Sequence, residues 1–115
     1  MRHFCTYFDH GYLSRGLALY ASLKRHCPSF QLHVLCLSDE CCAALRELAL
    51  PGMTLVTLPD LEGFEPRLRE KKESRSRMEY YFTCSPVLPL YLIRKYPDLE
   101  MITYLDADTF LFSSP

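Results

Sequence analysis

The chain has 115 residues, of which 49% are hydrophobic and 23% are charged, and its formal net charge is −1. This length suits a single domain, and the apolar content is that of a globular core rather than of a disordered chain. A charge so close to zero gives no general attraction to nucleic acid or to anionic membranes. No apolar run approaches the roughly 18 residues of a membrane span, and the first residues lack the pattern of a signal peptide. The cytosol is therefore the expected compartment, and we expect all six cysteines to be reduced.

Apolar runs and helical patterns alternate over the first half of the chain. Continuous apolar runs predict strands buried in a parallel sheet, and capping residues with a following stripe of apolar positions predict helices. The predicted elements are a strand over 3–8, a helix capped by Ser14 and running to 26, a strand over 32–37, a helix capped by Ser38 or Asp39, and a strand over 53–58.

The composition changes after the third predicted strand. Residues 59–78 contain Gly, Pro and a dense run of charges, which predicts a long loop, and long loops in compact domains are often functional. Ser85 and Pro86 then predict the N-terminus of a buried helix that ends near Tyr96. Residues 101–105 predict a further strand, and 109–112 continue as extended chain.

The order of these elements predicts an α/β fold. Strands that alternate with helices form a doubly wound, mostly parallel, Rossmann-like sheet, because right-handed crossovers place helices on both faces. Ligands bind to such sheets at the carboxyl ends of the strands, near the point where the strand order reverses. Asp9 and the segment 106–108 each follow a predicted strand directly, so we expect both at that edge.

Asp106 and Asp108 are two carboxylates one residue apart at the end of a buried strand. In extended chain both side chains lie on the same side, where they repel each other unless a cation or hydrogen-bond donors lie between them. Oxygen ligands of this kind suit Mg²⁺ or Mn²⁺, which often share their coordination with substrate phosphates. The pair therefore predicts a site for a metal-bound nucleoside diphosphate.

The segment Tyr104-Leu105-Asp106-Ala107-Asp108-Thr109 resembles the D-x-D strand of nucleotide-sugar glycosyltransferases of the GT-A fold, especially the glycogenin and lipopolysaccharide galactosyltransferase type. Residues 6–12 and the helix that contains Ala21-Ser22-Leu23 are similar to the first strand and helix of that family. Residues 80–86 resemble the segment that precedes the D-x-D helix in a bacterial branch of that family. The resemblance extends over all 115 residues.

The resemblance implies a set of site residues. Asp108 would bind Mn²⁺ (or Mg²⁺), and Asp106 would share that metal or bind the hydroxyls of the ribose and sugar. An arginine in the charged segment would bind the diphosphate, and Arg75 is preferred over Arg77 for its position ahead of Tyr80. The complete nucleotide-binding set that the resemblance implies is Thr6, Tyr7, Asp9, Tyr12, Arg75, Asp106 and Ala107.

The resemblance also implies that residues 1–115 form the N-terminal, donor-binding half of a GT-A domain, ending just after the D-x-D motif. The donor would be a UDP-sugar, and the acceptor pocket and catalytic residues would belong to a second half. A fragment of this kind exposes a sheet edge, so we expect it to self-associate.

Two alternatives remain open. The letters Asp106-Ala107-Asp108-Thr109 also fit the D-x-D-x-T signature of haloacid-dehalogenase-type phosphatases, in which Asp106 would be the nucleophile and Asp108 the general acid/base. That signature normally opens its domain, whereas here it lies near the end of the chain. A nucleotide-binding module without catalysis needs only the aspartate pair and the fold.

Overall fold

The computed structural model of the chain describes residues 1–74 and 76–107. These residues form one parallel sheet with helices on both faces. Within these residues the strands are β1 (Arg2–Phe8), β2 (Phe30–Cys36), β3 (Met53–Thr57) and β4 (Thr103–Tyr104). The helices are α1 (Leu13–His26), α2 (Asp39–Leu48), α3 (Leu58–Phe64), α4 (Arg67–Ser74), α5 (Arg77–Cys84) and α6 (Val87–Lys95), and a short 3-10 turn (His10–Tyr12) precedes α1.

The sheet has the strand order β3-β2-β1-β4, and all its neighbouring strands are parallel. The first two crossovers progress from β1 to β2 and on to β3, whereas β4 lies on the opposite side of β1. The order therefore reverses between β1 and β4, which is the topological switch of a doubly wound fold. The predicted Rossmann-like α/β class is confirmed.

Two apolar cores lie on the two faces of the sheet. Alternating residues of β1 divide between them: Phe4 and Phe8 belong to one core, and Cys5 belongs to the other. The first core is closed by α1 and α2 through Leu19, Leu23 and Leu45. The second is closed by α3 to α6 through Leu61, Leu68, Cys84, Leu88 and Leu92.

The start of α1 differs from the prediction. The Asp9 carboxylate, through Oδ1, accepts a hydrogen bond from the Gly11 backbone N–H at 2.9 Å and so caps the 3-10 turn. This turn leads directly into α1 at Leu13, and Ser14 is therefore not the N-cap. The predicted cap of α2 is confirmed, because the hydroxyl of Ser38 accepts a hydrogen bond from the Cys41 backbone N–H at 3.3 Å.

The predicted loop over 59–78 is wrong where the structure describes it, because α3, α4 and the start of α5 occupy most of that segment. Two reciprocal capping boxes explain the difference. Thr57 and Asp60 exchange hydrogen bonds of 3.2 and 3.0 Å at the start of α3. Ser76 and Glu79 do the same at the start of α5, at 3.3 and 3.2 Å.

The last elements also depart from expectation. Ser85 belongs to the end of α5, and α6 begins after Pro86 without a side-chain cap. Helix α6 is not buried on most sides, because Leu90 is 61% exposed and Ile93 is 48% exposed. Strand β4 is only two residues long, shorter than the strand predicted over 101–105. The extended chain predicted over 109–112 lies outside the described residues.

Ala49 ends α2 in the left-handed region, with φ of 47° and ψ of 53°. An L side chain is disfavoured there, whereas glycine is not. Ala49→Gly is therefore expected to raise the free energy of unfolding by about 0.5–1 kcal/mol in urea denaturation. The control is Ala43→Gly, within α2, which should lower it by about 1 kcal/mol. Equal effects at the two positions would contradict this account.

Candidate nucleotide site at the switch point

A cavity of about 370 Å³ lies at the carboxyl ends of β1 and β4, where the strand order reverses. Both segments that the sequence singled out contribute to it, the end of β1 with the turn that follows and the end of β4. The lining residues are Tyr7, Phe8, Asp9, Tyr12, Leu37, Tyr81, Phe82, Tyr104, Asp106 and Ala107.

Asp9 enters the cavity from the end of β1. Its backbone carbonyl accepts a hydrogen bond from the N–H of Tyr12 at 3.1 Å, and its carboxylate caps the same turn. The turn is thus closed by both parts of one residue, which fixes the direction of the carboxylate. A Cβ at Gly11 would lie 3.2 Å from Asp9 Oδ1, so a side chain there would press on the carboxylate.

Asp106 enters the cavity from the end of β4 and is exposed. The strand is aligned by a hydrogen bond of 2.9 Å from the Leu105 N–H to the Cys5 carbonyl and by stacking of Tyr104 on Tyr7, with ring centroids 5.9 Å apart. Burial raises the pKa of Tyr104, and its neighbours Tyr7 and Asp106 raise it further. The phenol therefore stays protonated and can donate a hydrogen bond beside the Asp106 carboxylate.

Exposed aromatic rings form much of the remaining wall. Tyr12 is 48% exposed and Phe82 is 62% exposed, although both belong to a cavity. The Arg15 guanidinium lies over the Tyr12 ring, 5.0 Å from its centroid. Rings held in this way offer flat apolar faces to a planar ligand, and aromatic side chains commonly stack on nucleobases.

Thr6 differs from the other predicted site residues in that it is fully buried and does not line the cavity. Its hydroxyl has no hydrogen-bond partner among the described residues. It lies between Phe4 and Phe8 on the sheet face that α1 covers, because side chains alternate along a strand.

Arg75 and Asp108, the predicted phosphate and metal ligands, lie outside the described residues. Within the described ranges no group of three or more His, Cys, Asp or Glu side chains is arranged to hold a metal ion. Asp106 is the part of the predicted metal pair that the structure describes. The neighbouring candidate Arg77 lines a different cavity, at the ends of β2 and β3.

Sequence reasoning missed five aromatic or apolar residues of the first cavity, namely Phe8, Leu37, Tyr81, Phe82 and Tyr104. Tyr104 and Phe82 lie within motifs that carried the resemblance, but their letters gave no sign that the rings face a cavity. Leu37 and Tyr81 are brought together by tertiary structure, since the Tyr81 hydroxyl donates to the Leu37 carbonyl at 3.3 Å. No periodicity in the sequence links two residues so far apart.

All six cysteines lie in the described part of the chain, where each is buried and free. Burial raises the pKa of the Cys5 thiol to about 12. None of the helices that the structure describes is long and apolar enough to span a bilayer.

Comparison with known proteins gives relatives but no family. No protein-family model matches the chain. The chain is similar to two proteins of Bacillus subtilis strain 168, each named as uncharacterized: YfnD, 30% identical over 113 residues, and YfnF, 30% identical over 112 residues. These alignments cover 98% and 97% of this chain but 36% of each relative. The chain thus spans just over a third of the length of the curated relatives it matches.

Proposed function

We propose that this chain is the donor-binding part of a metal-dependent glycosyltransferase, which transfers a glycosyl group from a UDP-sugar to an acceptor. The observation that carries the proposal is the cavity at the switch point. Two separate segments, 6–12 and 104–109, resemble the nucleotide-sugar site of one enzyme family, and the described residues of both segments meet in this cavity. A chance likeness of two short motifs would not require them to meet.

The chemistry of the lining agrees with such a donor. Tyr7 and Tyr12 present rings to a base, and Asp9 accepts hydrogen bonds from base or ribose. The Asp106 carboxylate suits ribose hydroxyls or a hard divalent cation. Ala107 keeps the approach to the backbone open. Thr6, being buried, would support the site from behind rather than bind the nucleotide.

A divalent metal fits the donor set that is proposed here. Asp106 and Asp108 would hold Mn²⁺ or Mg²⁺ through carboxylate oxygens, and Asp106 is exposed at the end of its strand, open to the cavity. Such an ion supplies Lewis-acid stabilisation of the departing diphosphate. Arg75 would add charge-assisted hydrogen bonds to the phosphates.

Calorimetric titration of the chain with UDP, with and without Mn²⁺, tests the proposal. Binding is expected to require the metal and to weaken by at least about tenfold in Asp108→Ala and Asp106→Asn, because each variant removes a charged ligand. The matched control is Asp98→Asn, an exposed aspartate that does not line this cavity.

Absence of UDP binding to a folded chain, shown by its far-UV circular dichroism, would overturn the proposal. Turnover of a phosphate monoester by the same chain would favour the phosphatase alternative instead. Metal-dependent UDP binding without glycosyl transfer in the longer relatives would favour a binding module.

Other parts of the proposal concern compartment and assembly. We propose a cytosolic location, which six free thiols favour. Self-association would use the edge of β4, because no described strand lies beyond β4 on its side of the sheet. Light scattering of the purified chain measures this directly.

A further inference from the structure

A second and larger cavity, of about 920 Å³, lies at the carboxyl ends of β2 and β3. It is bounded by the first turn of α2, the first turn of α3, and side chains of α4 and α5. Leu37 and Tyr81 line both this cavity and the one at the switch point, so the two cavities are neighbours. Of the candidate nucleotide ligands that the sequence offered, Arg77 lines the second cavity, whereas the described members of the preferred set do not.

Glu62 forms a buried charged wall of this second cavity. The residue is 6% exposed, and one carboxylate oxygen, Oε2, accepts hydrogen bonds from the Tyr80 hydroxyl at 2.5 Å and from Lys72 Nζ at 3.3 Å. A carboxylate is costly to bury unless a cation and hydrogen-bond donors accompany it. These contacts supply both, and they link α3, α4 and α5.

Two arginines of the cavity are not neutralised in this way. Arg46 on α2 and Arg77 at the start of α5 are exposed, and neither forms an ion pair with another described residue. The carboxylate of Glu40, which also lines the cavity, does have a neighbour of this kind, because its Oε2 lies 3.4 Å from His10 Nδ1. Burial raises the pKa of the Tyr81 phenol, and the charge of Arg77 opposes that rise. Guanidinium groups of this kind bind phosphate through paired hydrogen bonds.

Hydrogen-bond acceptors accompany these two cations. Asp39 and Glu62 bring carboxylate oxygens to the lining, and Ser38 brings a hydroxyl. Carboxylates accept hydrogen bonds from alcohol groups. A lining with both guanidinium groups and carboxylates therefore matches a ligand that has one anionic group and several hydroxyls.

We propose that the second cavity binds a sugar phosphate, with the phosphate held by Arg46 and Arg77 and the sugar hydroxyls donating to Asp39 and Glu62. The site is separate from the one proposed for the UDP-sugar and does not depend on it. It needs no divalent metal, because the protein supplies the cations.

Calorimetric titration of the full chain with glucose 6-phosphate, in the presence of a chelator, tests this proposal. Saturable binding is expected, with weaker binding of inorganic phosphate and none of glucose. Arg46→Gln and Arg77→Gln should each weaken binding by at least about tenfold, because each removes charge-assisted hydrogen bonds. The matched control is Arg94→Gln, an exposed arginine of α6 outside the cavity, which should bind as the parent chain does.

Three results would overturn the proposal. The parent chain would not bind glucose 6-phosphate, or the Arg46 and Arg77 variants would bind it as tightly as the parent chain does, or UDP with Mn²⁺ would displace glucose 6-phosphate competitively. Simultaneous binding of UDP and the sugar phosphate would support it. Binding of the sugar phosphate without any binding of UDP would support it as well, while contradicting the glycosyltransferase proposal alone.

Discussion

Acidification from pH 7 to pH 4 is expected to destabilise the folded chain by about 3 kcal/mol through His33 alone. His33 is 1% exposed, and its Nε2 lies 3.1 Å from Nδ1 of His3. Burial, together with the charges of His3 and Lys95, lowers the pKa of His33 from 6.5 to about 4. The ring of Tyr96 covers the remaining side, with centroids 5.4 Å apart.

The direction of this pH effect follows from the protonation state of His33 in the folded and in the unfolded chain. Above pH 6.5 His33 is neutral in both the folded and the unfolded chain, so it adds no pH dependence there. As the pH falls from 6.5 towards 4, the unfolded chain binds a proton that the folded chain does not, and the free energy of unfolding decreases. Below about pH 4 the folded chain binds the proton too, and the loss levels off.

Urea denaturation at both pH values, followed by far-UV circular dichroism, measures the effect. His33→Gln cannot take up the proton, so the difference in stability between pH 7 and pH 4 should shrink by about 3 kcal/mol. Carboxylates titrate in both chains, so their contribution to the loss of stability cancels when the variant is compared with the parent chain. The control is His26→Gln, at the end of α1 on the other face of the sheet. A variant at His33 with the full acid sensitivity of the parent would contradict this assignment.

Gly16→Ala is expected to lower the free energy of unfolding by about 1–3 kcal/mol, although alanine is the better helix former. A Cβ at this position of α1 would lie 2.4 Å from two ring atoms of Phe8. Phe8 is 2% exposed, so its ring is enclosed and can move only by displacing its neighbours. Because Phe8 also lines the switch-point cavity, the same substitution should alter that cavity.

Gly63→Ala provides the matched control, since a Cβ there meets no atom within 4 Å. It should raise stability by up to about 1 kcal/mol, the usual gain from glycine to alanine in a helix. The double variant Gly16→Ala with Phe8→Leu should recover part of the loss, because the smaller side chain makes room for the methyl group. Equal effects of the two single alanine substitutions in urea denaturation would exclude crowding as the cause.

The first half of the fold, in which strands and helices alternate, was predictable because each sequence signal for an element there is local. The apolar runs of β1 and β2 end at polar or turn residues, and Ser38 caps α2 as expected. The segment after β3 was misjudged because its charges suggested a loop. Helix α4 is almost uniformly polar, and Leu68 provides its main anchor in the core. The two capping boxes, Thr57 with Asp60 and Ser76 with Glu79, were the signal that could have revealed the neighbouring helices.

The candidate site was predictable only where a residue directly follows a strand. Asp9 and Asp106 could be placed at one edge because parallel strands end on the same side of a sheet. The ring of Phe82 could not, since its exposure depends on how α5 packs against the sheet. The second cavity was missed for a similar reason: Arg46 and Arg77 belong to different helices, and only their packing brings them to one cavity.

The two carboxylates of the switch-point cavity are supported by strands of very different length. β1 is paired with β2 over seven residues, whereas β4 is paired with β1 over two. Local opening of a short edge strand costs less free energy than opening of a central one. Asp9 is therefore presented by the stable interior of the sheet and Asp106 by its weakest part. A ligand that contacts both carboxylates would hold β4 against β1 as it binds. Part of its binding free energy would therefore stabilise the pairing of β4 with the sheet.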